Sequence, residues 1–533
     1  MRRLGTMLDC SRNAVPTVKS LEKWIDVTSK MGYNTLLLYM EDTYELENHP
    51  YFGYMRGRYT QSELRRVNDY AVSKGVELIP CIQTLAHLQS IERWPEYWGH
   101  FDCEDILCVG DEKNYELIDR MFSTISKCFT SKTIHIGMDE AHMLGKGRYY
   151  DKNGDVNGLD IMLYHLQRIC EIGRKYGFSF LLWSDMFFKL ASADNQYTAG
   201  AKFRAEITKQ IPENVELVYW DDYTQEKMQY DAMFEAHERI KKGTWFAGGA
   251  LSWAGFAPHN AYSMQTVRTA LESCLENQIQ DVFFTLWGDY GGECSKFSLL
   301  PTLFYASEII RGNTDEVGIW ENFQNQFGVS FEDFLLLDLP GTPNDMAGEI
   351  CNAEKYMLYN DCFTGIMDAQ IQGGEGDRFA RCAQKLANLE KLPEWGYLFA
   401  TQKHLCHVLA LKAELGVRTR KAYGARDRGA LLELLEDYRN VAARLKQFHA
   451  VYRRQWLEEN KPHGFDVQDI RLGGLVARVE SCAERLRQFA DGTIDRIEEL
   501  EEEQLNYFGI APDNREPHTW VSNWAHIVTT NVV

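Results

Sequence analysis

Short apolar runs recur along the first 311 residues, separated by longer segments in which apolar positions return every three or four residues. The runs lie at 5–9, 34–40, 76–83, 133–138, 179–183, 215–220, 244–250 and 281–287. Each is brief and almost wholly apolar, the pattern of a parallel strand buried on both faces. The segments between and after them, at 17–31, 61–74, 115–128, 159–176, 201–210, 226–241, 263–277 and 301–310, carry helical periodicity. Several close on Lys or Arg followed by Gly, a usual helix stop. Eight strands alternating with eight helices predict an α/β fold, a (β/α)8 TIM barrel over residues 1–312, about the ~250 residues of a typical barrel plus inserted loops. A doubly wound open sheet competes, but eight repeats and the lack of a Gly-rich phosphate turn after the first run count against it.

Past residue 312 the alternation stops. Residues 313–359, with the Pro/Gly-rich stretch LDLPGTPNDMAGE, read as a linker or covering segment. Residues 360–533 predict an α-helical C-terminal domain, rich in Leu, Ala, Glu and Arg. One long amphipathic helix runs to Lys461, where KPHG breaks it, and a second is expected over 469–503. The acidic run Glu498–Glu503 is then a solvated helix face, and the ending to Val533 a loosely held tail that Trp520 and Trp524 could dock.

Composition narrows the function. A hydrophobic content of 45% supports a large core, and a net charge of −20 argues against nucleic acid, which needs a basic face. The 13 Cys lack CxxC or Cys/His ligand spacing and often sit in apolar runs, the pattern of reduced thiols rather than a disulfide framework. No stretch approaches the roughly 20 apolar residues of a membrane span, and no apolar leader follows the first Arg pair. These features read as a soluble, cytoplasmic protein with no membrane partner.

In a barrel the chemistry sits at the carboxyl ends of the strands. Here those ends carry Asp9 and Arg12, Glu41 and Asp42, Gln83 and His87, and His135, Asp139 and Glu140. Next come Trp183 and Asp185, then Tyr219, Trp220, Asp221 and Asp222, then Ser252 and Trp253, and last Trp287, Asp289 and Glu293. Acids and indoles at one mouth suit a carbohydrate: carboxylates for hydroxyls and proton transfer, rings for the apolar sugar faces. Strand alternation through HIGMDE sends His135, Gly137 and Asp139 to one side and Ile134, Ile136 and Met138 to the other. Some of these residues have plainer readings. His135 is equally a packed barrel histidine bonded to Asp139, His87 a supporting residue, and Trp253 ordinary core. Cys10 has no paired His and is not read as a nucleophile.

These residues resemble the family 20 glycoside hydrolases, the β-N-acetylhexosaminidases, and most closely their compact bacterial branch with a barrel and a helical C-terminal domain. HIGMDE matches the family's His-x-Gly-x-Asp-Glu. LDCSRN (Arg12), YMED (Asp42), PCIQTLAH (His87), LLWSD (Trp183), YWD (Tyr219 and Asp221) and LWGD (Trp287 and Asp289) follow in strand order. The likeness extends loosely to WLEENKPHGFDVQDIRLGGL. There are departures. The strand-two signature is reduced to MEDTYE, and the terminal Trp-x-Glu appears as Trp287-Gly288-Asp289. Asp289 and Glu293 thus remain alternatives for the acid that reads the hydroxyls.

The resemblance implies removal of a terminal β-linked N-acetylglucosamine or N-acetylgalactosamine from an oligosaccharide or glycoconjugate. The substrate's own 2-acetamido oxygen would act as nucleophile, with no metal and no cofactor. It casts Glu140 as general acid and base, Asp139 as the acceptor that orients the acetamide, and Tyr219 as donor to the acetamide oxygen. Trp183, Trp253 and Trp287 would wall the acetyl pocket. Arg12, Asp42, His87, His135, Asp221 and Asp289 or Glu293 complete the sugar-binding set. A charged Asp139 is expected to keep Glu140 protonated near neutral pH. Two rival readings are a metal-dependent barrel hydrolase using His87, His135, Asp139, Glu140 and His142, and a catalytically silent glycan-binding barrel. The exposed-looking WLEENK segment suggests a homodimer through the helical domain, with Trp456 turned towards a neighbour's site.

Overall fold

Eight parallel strands hydrogen-bond in sequence order and close on themselves, β1 pairing with β8 from Arg3 opposite Asp281 to Leu8 opposite Leu286. A computed structural model describes residues 1–192, 195–203, 209–343, 348–509 and 519–533. The strands are β1 Arg3–Asp9, β2 Thr35–Tyr39, β3 Glu77–Cys81, β4 Thr133–His135, β5 Ser179–Trp183, β6 Val215–Asp221, β7 Trp245–Gly249 and β8 Asp281–Leu286. Continuous burial along β2 and β8 is what helices outside and side chains inside require. Inside, the Trp183 and Trp245 rings lie 5.9 and 6.3 Å from that of Phe283. Below them Arg3 pairs with Glu77 (2.9 Å) and Asp281 (3.4 Å), and the Trp245 indole donates to Glu216 (2.6 Å), so polar groups close the barrel floor.

The helices after the strands are α1 Val18–Lys30, α2 Gln61–Ser73, α3 Glu112–Cys128, α4 Gly158–Arg174, α5 Asp185–Ala191, α6 Lys227–Ile240, α7 Asn260–Glu276 and α8 Leu300–Ile310. Helix α1 buries Leu21, Trp24, Ile25 and Thr28, one stripe at helical spacing, and Thr17 caps it through Ser20 N–H. In α2, Thr60 and Glu63 form a reciprocal capping box. Helix α3 begins three residues before the expected start because Asp111 caps it. The helix expected at 201–210 falls largely outside the described residues.

The chain divides into two compact units. One comprises Met1–Ala250, Met264–Leu286 and Leu303–Thr314, and the other Leu251–Ser263, Trp287–Thr302 and Asp315–Val533. The second unit is helical, with α9 Glu316–Phe327, α10 Ala353–Tyr359, α11 Glu375–Leu386, α12 Gly396–Lys412, α13 Leu415–Gly424, α14 Arg428–Glu459, α15 Phe465–Asp491 and α16 Trp524–Val528. Residues 313–359, expected as a linker, carry helices Glu316–Phe327, Phe331–Leu335 and Ala353–Tyr359 among the described residues.

In this unit the second helix, the acidic run and Trp456 differ from expectation, and the tail takes the docked alternative. The helix expected to 503 stops at Asp491, where Gly492 turns left-handed (φ 84°). The acidic run beyond it is a short 3₁₀ turn held by Arg485 and Arg496, not a helix face. The C-terminal tail is docked: Asn352 exchanges two hydrogen bonds with Val521 (2.9 and 3.1 Å), Trp520 packs on Leu251, Trp253, Ala254 and Tyr262, and Ile527 is buried. Trp456 is also buried, its ring against Tyr452 and Phe465 and its N–H on the Lys461 carbonyl (2.9 Å), so it has no face to offer a neighbour. Among the described residues no helix is long and apolar enough to cross a membrane.

Gly173 tests how tightly the helix layer sits on the barrel. A Cβ there would lie 2.1 Å from the Phe180 ring of β5. Glycine to alanine in a helix ordinarily gains up to ~1 kcal/mol. Here overpacking should outweigh the gain, so Gly173→Ala is expected to destabilise by about 1–3 kcal/mol in urea unfolding, and Phe180→Leu in the same chain to recover part of the loss.

Candidate active site

At the end of β1 the Asp9 carboxylate accepts Ser11 N–H (2.9 Å) and Ser11 Oγ–H (2.8 Å), a turn that brings Arg12 back over the barrel mouth. The Arg12 guanidinium lies 3.4 Å from both Asp9 and Glu41 and rests on the Tyr39 ring. Glu41 follows β2 in a left-handed conformation (φ 44°), is buried, and accepts the Tyr39 hydroxyl (3.0 Å). Burial raises its pKa, with Arg12 and His87 opposing. The next residue, Asp42, turns away to pair with Arg56 (3.0 Å).

The end of β4 is the centre of the site. Alternation was expected to continue through Asp139, but the strand ends at His135, and Gly137, Met138 and Glu140 all have positive φ (70°, 70° and 52°). The reason is a set of bonds from β3 and β5. Thr84 Oγ donates to Ile136 O (2.8 Å), Ile136 N–H donates to Leu181 O (2.9 Å), and Gln83 Oε1 accepts Met138 N–H (3.2 Å). The Gln83 amide donates to Asp139 Oδ1 (2.8 Å) and to the Tyr39 hydroxyl (3.0 Å). Only glycine fits at 137, since a Cβ would lie 2.0 Å from Gln83 Oε1. Left-handed non-glycine residues at 41, 87, 138 and 140 concentrate backbone strain where side chains are aimed.

His87 completes the cluster. Its Nε2 lies 3.2 Å from Asp139 Oδ2 and 3.6 Å from Glu140 Oε2. Burial disfavours the imidazolium, but the Asp139 carboxylate outweighs it and pushes the His87 pKa up to about 9. In return His87 and the Gln83 amide overcome burial and hold Asp139 ionised, below the usual carboxylate range. Behind the pair, Asp185 at the start of α5 accepts Glu140 N–H (3.1 Å) and Lys189 Nζ (3.3 Å). Burial and then the charge on Asp139 push the Asp185 pKa up to about 6. Asp139 is therefore held by His87 and Gln83, whereas the Glu140 side chain is 44% exposed.

The other expected site residues fall elsewhere. His135 is wholly buried beneath the pair, its ring 4.4 Å from that of Trp183; its Nδ1 accepts Gly137 N–H (3.1 Å), and burial drives its pKa down to about 3. Tyr219 lies within β6. It lies on the face of β6 turned to the helix layer, with His237 and Phe234 of α6 at 5.1 and 5.4 Å. Its hydroxyl donates to Asp221 (2.8 Å), which also accepts Tyr223 and Thr224 N–H and so builds the loop after β6. Tyr219 and Asp221, both expected to meet the sugar, are thus bonded to each other at the end of β6.

Trp253, Trp287, Asp289 and Glu293 belong to the second unit. There Trp253 is core, with Trp287 packed against its cluster. Glu293 is buried between Lys355 (2.6 Å) and Arg471 (3.0 Å), an ion-pair anchor rather than an open acid. Three residues of the cluster, Glu41, Gln83 and Asp185, were read at the strand ends but given no role in the expected sugar-binding set. Gln83 could have been found by asking what satisfies a buried Asp139. Among the described residues no group of three or more His, Cys, Asp or Glu side chains has the arrangement of a metal cage.

The sequence profile of "Glycosyl hydrolase family 20, catalytic domain" matches residues 3–239, and that of "Glycoside Hydrolase 20C C-terminal domain" matches residues 332–519. Beta-hexosaminidase 3 of Arabidopsis thaliana is 25% identical over 215 residues, 36% of this chain and 39% of that protein. Hexosaminidase D of Bos taurus is 24% identical over 293 residues, 50% of this chain and 75% of that protein. A solved GH20 exo-β-N-acetylglucosaminidase from Vibrio harveyi superposes with TM-score 0.48 at 14% identity, covering 63% of this chain and 58% of that one. The chain thus spans well under two thirds of the length of some of these relatives.

The His87–Asp139 pair has a pH signature. With its pKa raised, His87 stabilises the fold fully below its ordinary value near 6.5 and loses that contribution as pH rises through about 9. The depressed Asp139 contributes above the ordinary carboxylate range and loses its contribution as pH falls. The melting temperature of the wild type should therefore decline between pH 7 and 10, and less steeply in His87→Gln. Equal slopes in the two proteins would contradict the pairing.

Proposed function

The chain belongs to glycoside hydrolase family 20, and from that premise we propose that it is an exo-acting β-N-acetylhexosaminidase with a retaining, substrate-assisted mechanism. The observation that carries the proposal is the Asp139–Glu140 pair. One acid is ionised and immobilised by His87 and Gln83, and its neighbour is open to the mouth. Two carboxylates in such different surroundings suit two different tasks.

In this reading the terminal 2-acetamido sugar sits over Asp139, whose carboxylate accepts the acetamide N–H and turns the carbonyl oxygen towards the anomeric carbon. That oxygen attacks C1 as the glycosidic bond breaks, and Glu140 gives its proton to the departing oxygen. Asp139 then stabilises the cationic oxazolinium ring. Glu140, now a carboxylate, takes a proton from water as the water adds to C1 and the acetamide leaves it. The sugar is released with its configuration kept and Glu140 protonated again. Arg12, which lies against Glu41, would read ring hydroxyls through its planar fork of donors.

The test is nitrophenol release from the β-N-acetylglucosaminide, the β-N-acetylgalactosaminide and the plain β-glucoside. Only the acetamido substrates should turn over. Asp139→Asn should lower kcat by roughly 10²–10³ on them, because the neutral amide no longer balances the cationic intermediate. Cleavage of the plain glucoside at a comparable rate would exclude the acetamide as nucleophile. A chelator should leave the rate unchanged, and a chelator-sensitive rate would favour a metal-dependent hydrolase.

A further inference from the structure

On two loops that follow barrel strands, three aromatic rings come together without being buried. Tyr51 and Tyr54, from the loop after β2, and Trp94, from the loop after β3, have centroids 5.4 to 6.0 Å apart. Tyr51 and Tyr54 are 42% and 40% exposed, and the adjoining Met55 is 68% exposed. Apolar surface of this kind left in water forgoes stabilisation, so a contiguous group marks a contact to be made.

The group is tied to the candidate active site by the backbone that carries it. Gly53 passes so close to β2 that a Cβ there would lie 2.1 Å from the Asp42 carbonyl oxygen, and its φ of 63° suits glycine. Arg56 grips the Asp42 carboxylate and the Ser11 carbonyl oxygen. Tyr54 and Met55 are thus held between two anchors at the ends of β1 and β2. The second loop starts beyond Gln83 and runs through His87, which contacts both Asp139 and Glu140. Both ring-bearing loops thus leave the carboxyl end of the barrel, the second by way of His87, the residue that reaches Glu140.

We propose that Tyr51, Tyr54 and Trp94 form a stacking platform for a sugar ring of the leaving group, a subsite that makes the protein a hydrolase of oligosaccharides rather than of simple glycosides. The inference rests on the hydrolase reading above. Its occupant follows from size and chemistry. Three rings present the area of one or two pyranoses, far below the roughly 800 Å² per partner of a stable protein interface. The flanking residues Glu92, Arg93 and Glu96 are polar and at least partly exposed, as a rim for hydroxyls would be. Sugar C–H faces on aromatic rings supply affinity without a directional bond, which suits a leaving group that must depart.

The experiment compares methyl β-N-acetylglucosaminide, whose leaving group has no ring, with triacetylchitotriose, in the wild type, Tyr51→Ala, Tyr54→Ala and, as a control outside the ring cluster, Trp98→Ala. Wild type should favour the trisaccharide. Tyr51→Ala and Tyr54→Ala should each lose roughly fivefold to tenfold in kcat/KM on it, mostly through KM. They should stay within about twofold on the methyl glycoside, and Trp98→Ala should follow wild type on both. Equal losses on both substrates, or none on the trisaccharide, would overturn the platform.

Calorimetric titration of trisaccharide into Glu140→Gln separates the two proposals. If no substrate turns over but the trisaccharide binds in a Tyr54-dependent way, the hydrolase reading fails and the platform stands. If the trisaccharide does not bind, the platform fails whatever the hydrolysis shows.

Discussion

Keeping the charge of Asp139 inside the barrel mouth is the constraint on which the rest of the site depends. A buried carboxylate would ordinarily take up a proton. Here an imidazolium from the loop after β3 and an amide from the end of β3 make the ionised form the stable one. Both donors must come within hydrogen-bonding range of one side chain, and the strand that carries it would otherwise continue straight. The chain therefore leaves β4 early and spends three left-handed residues to bring Asp139 under His87 and Glu140 out to solvent. The strain is supported by backbone bonds from β3 and β5 on either side.

The two ends of the barrel handle charge in opposite ways. At the floor, Arg3 meets Glu77 and Asp281. At the mouth, acids outnumber bases: Asp9, Glu41, Asp139, Glu140 and Asp185 face Arg12, His87 and Lys189. Burial raises the pKa of Asp185, and the charge on Asp139 adds to it. A site so arranged is suited to a substrate that becomes cationic as it reacts.

How much of this was legible in the sequence varies with the physics behind each signal. Burial on both faces leaves short apolar runs, and the eight strands were read to within a few residues, β5 at both ends. The order of chemical residues along the strand ends was equally plain, and His87, Asp139 and Glu140, read from it, lie within 3.6 Å of one another through His87 Nε2. Direction was not legible. Parity along a strand holds only while the strand lasts, and β4 ends at His135 because of bonds made with distant residues. The ring partners of Tyr219, His237 and Phe234, were not legible, because they lie on a helix whose packing no local pattern reveals. The long second helix was overrun at Gly492, and the Glu498–Glu503 run, which looked like a helical face, is organised by arginines from elsewhere. Trp456 looked exposed from the charges around it, yet a tryptophan among charged neighbours on a helix can be the one residue facing in.

The contact between Gly137 and Gln83 couples two positions that are 54 residues apart in sequence. Any side chain at 137 needs the amide at 83 to move, and that amide is a direct donor to Asp139. A shorter residue at 83 would make room but release the acid. Neither position can then change alone without loss, and a paired change must supply a new donor to Asp139 in the same step. The two sites are bound to one another in inheritance as well as in space, and descendants of this sequence should keep both or replace both.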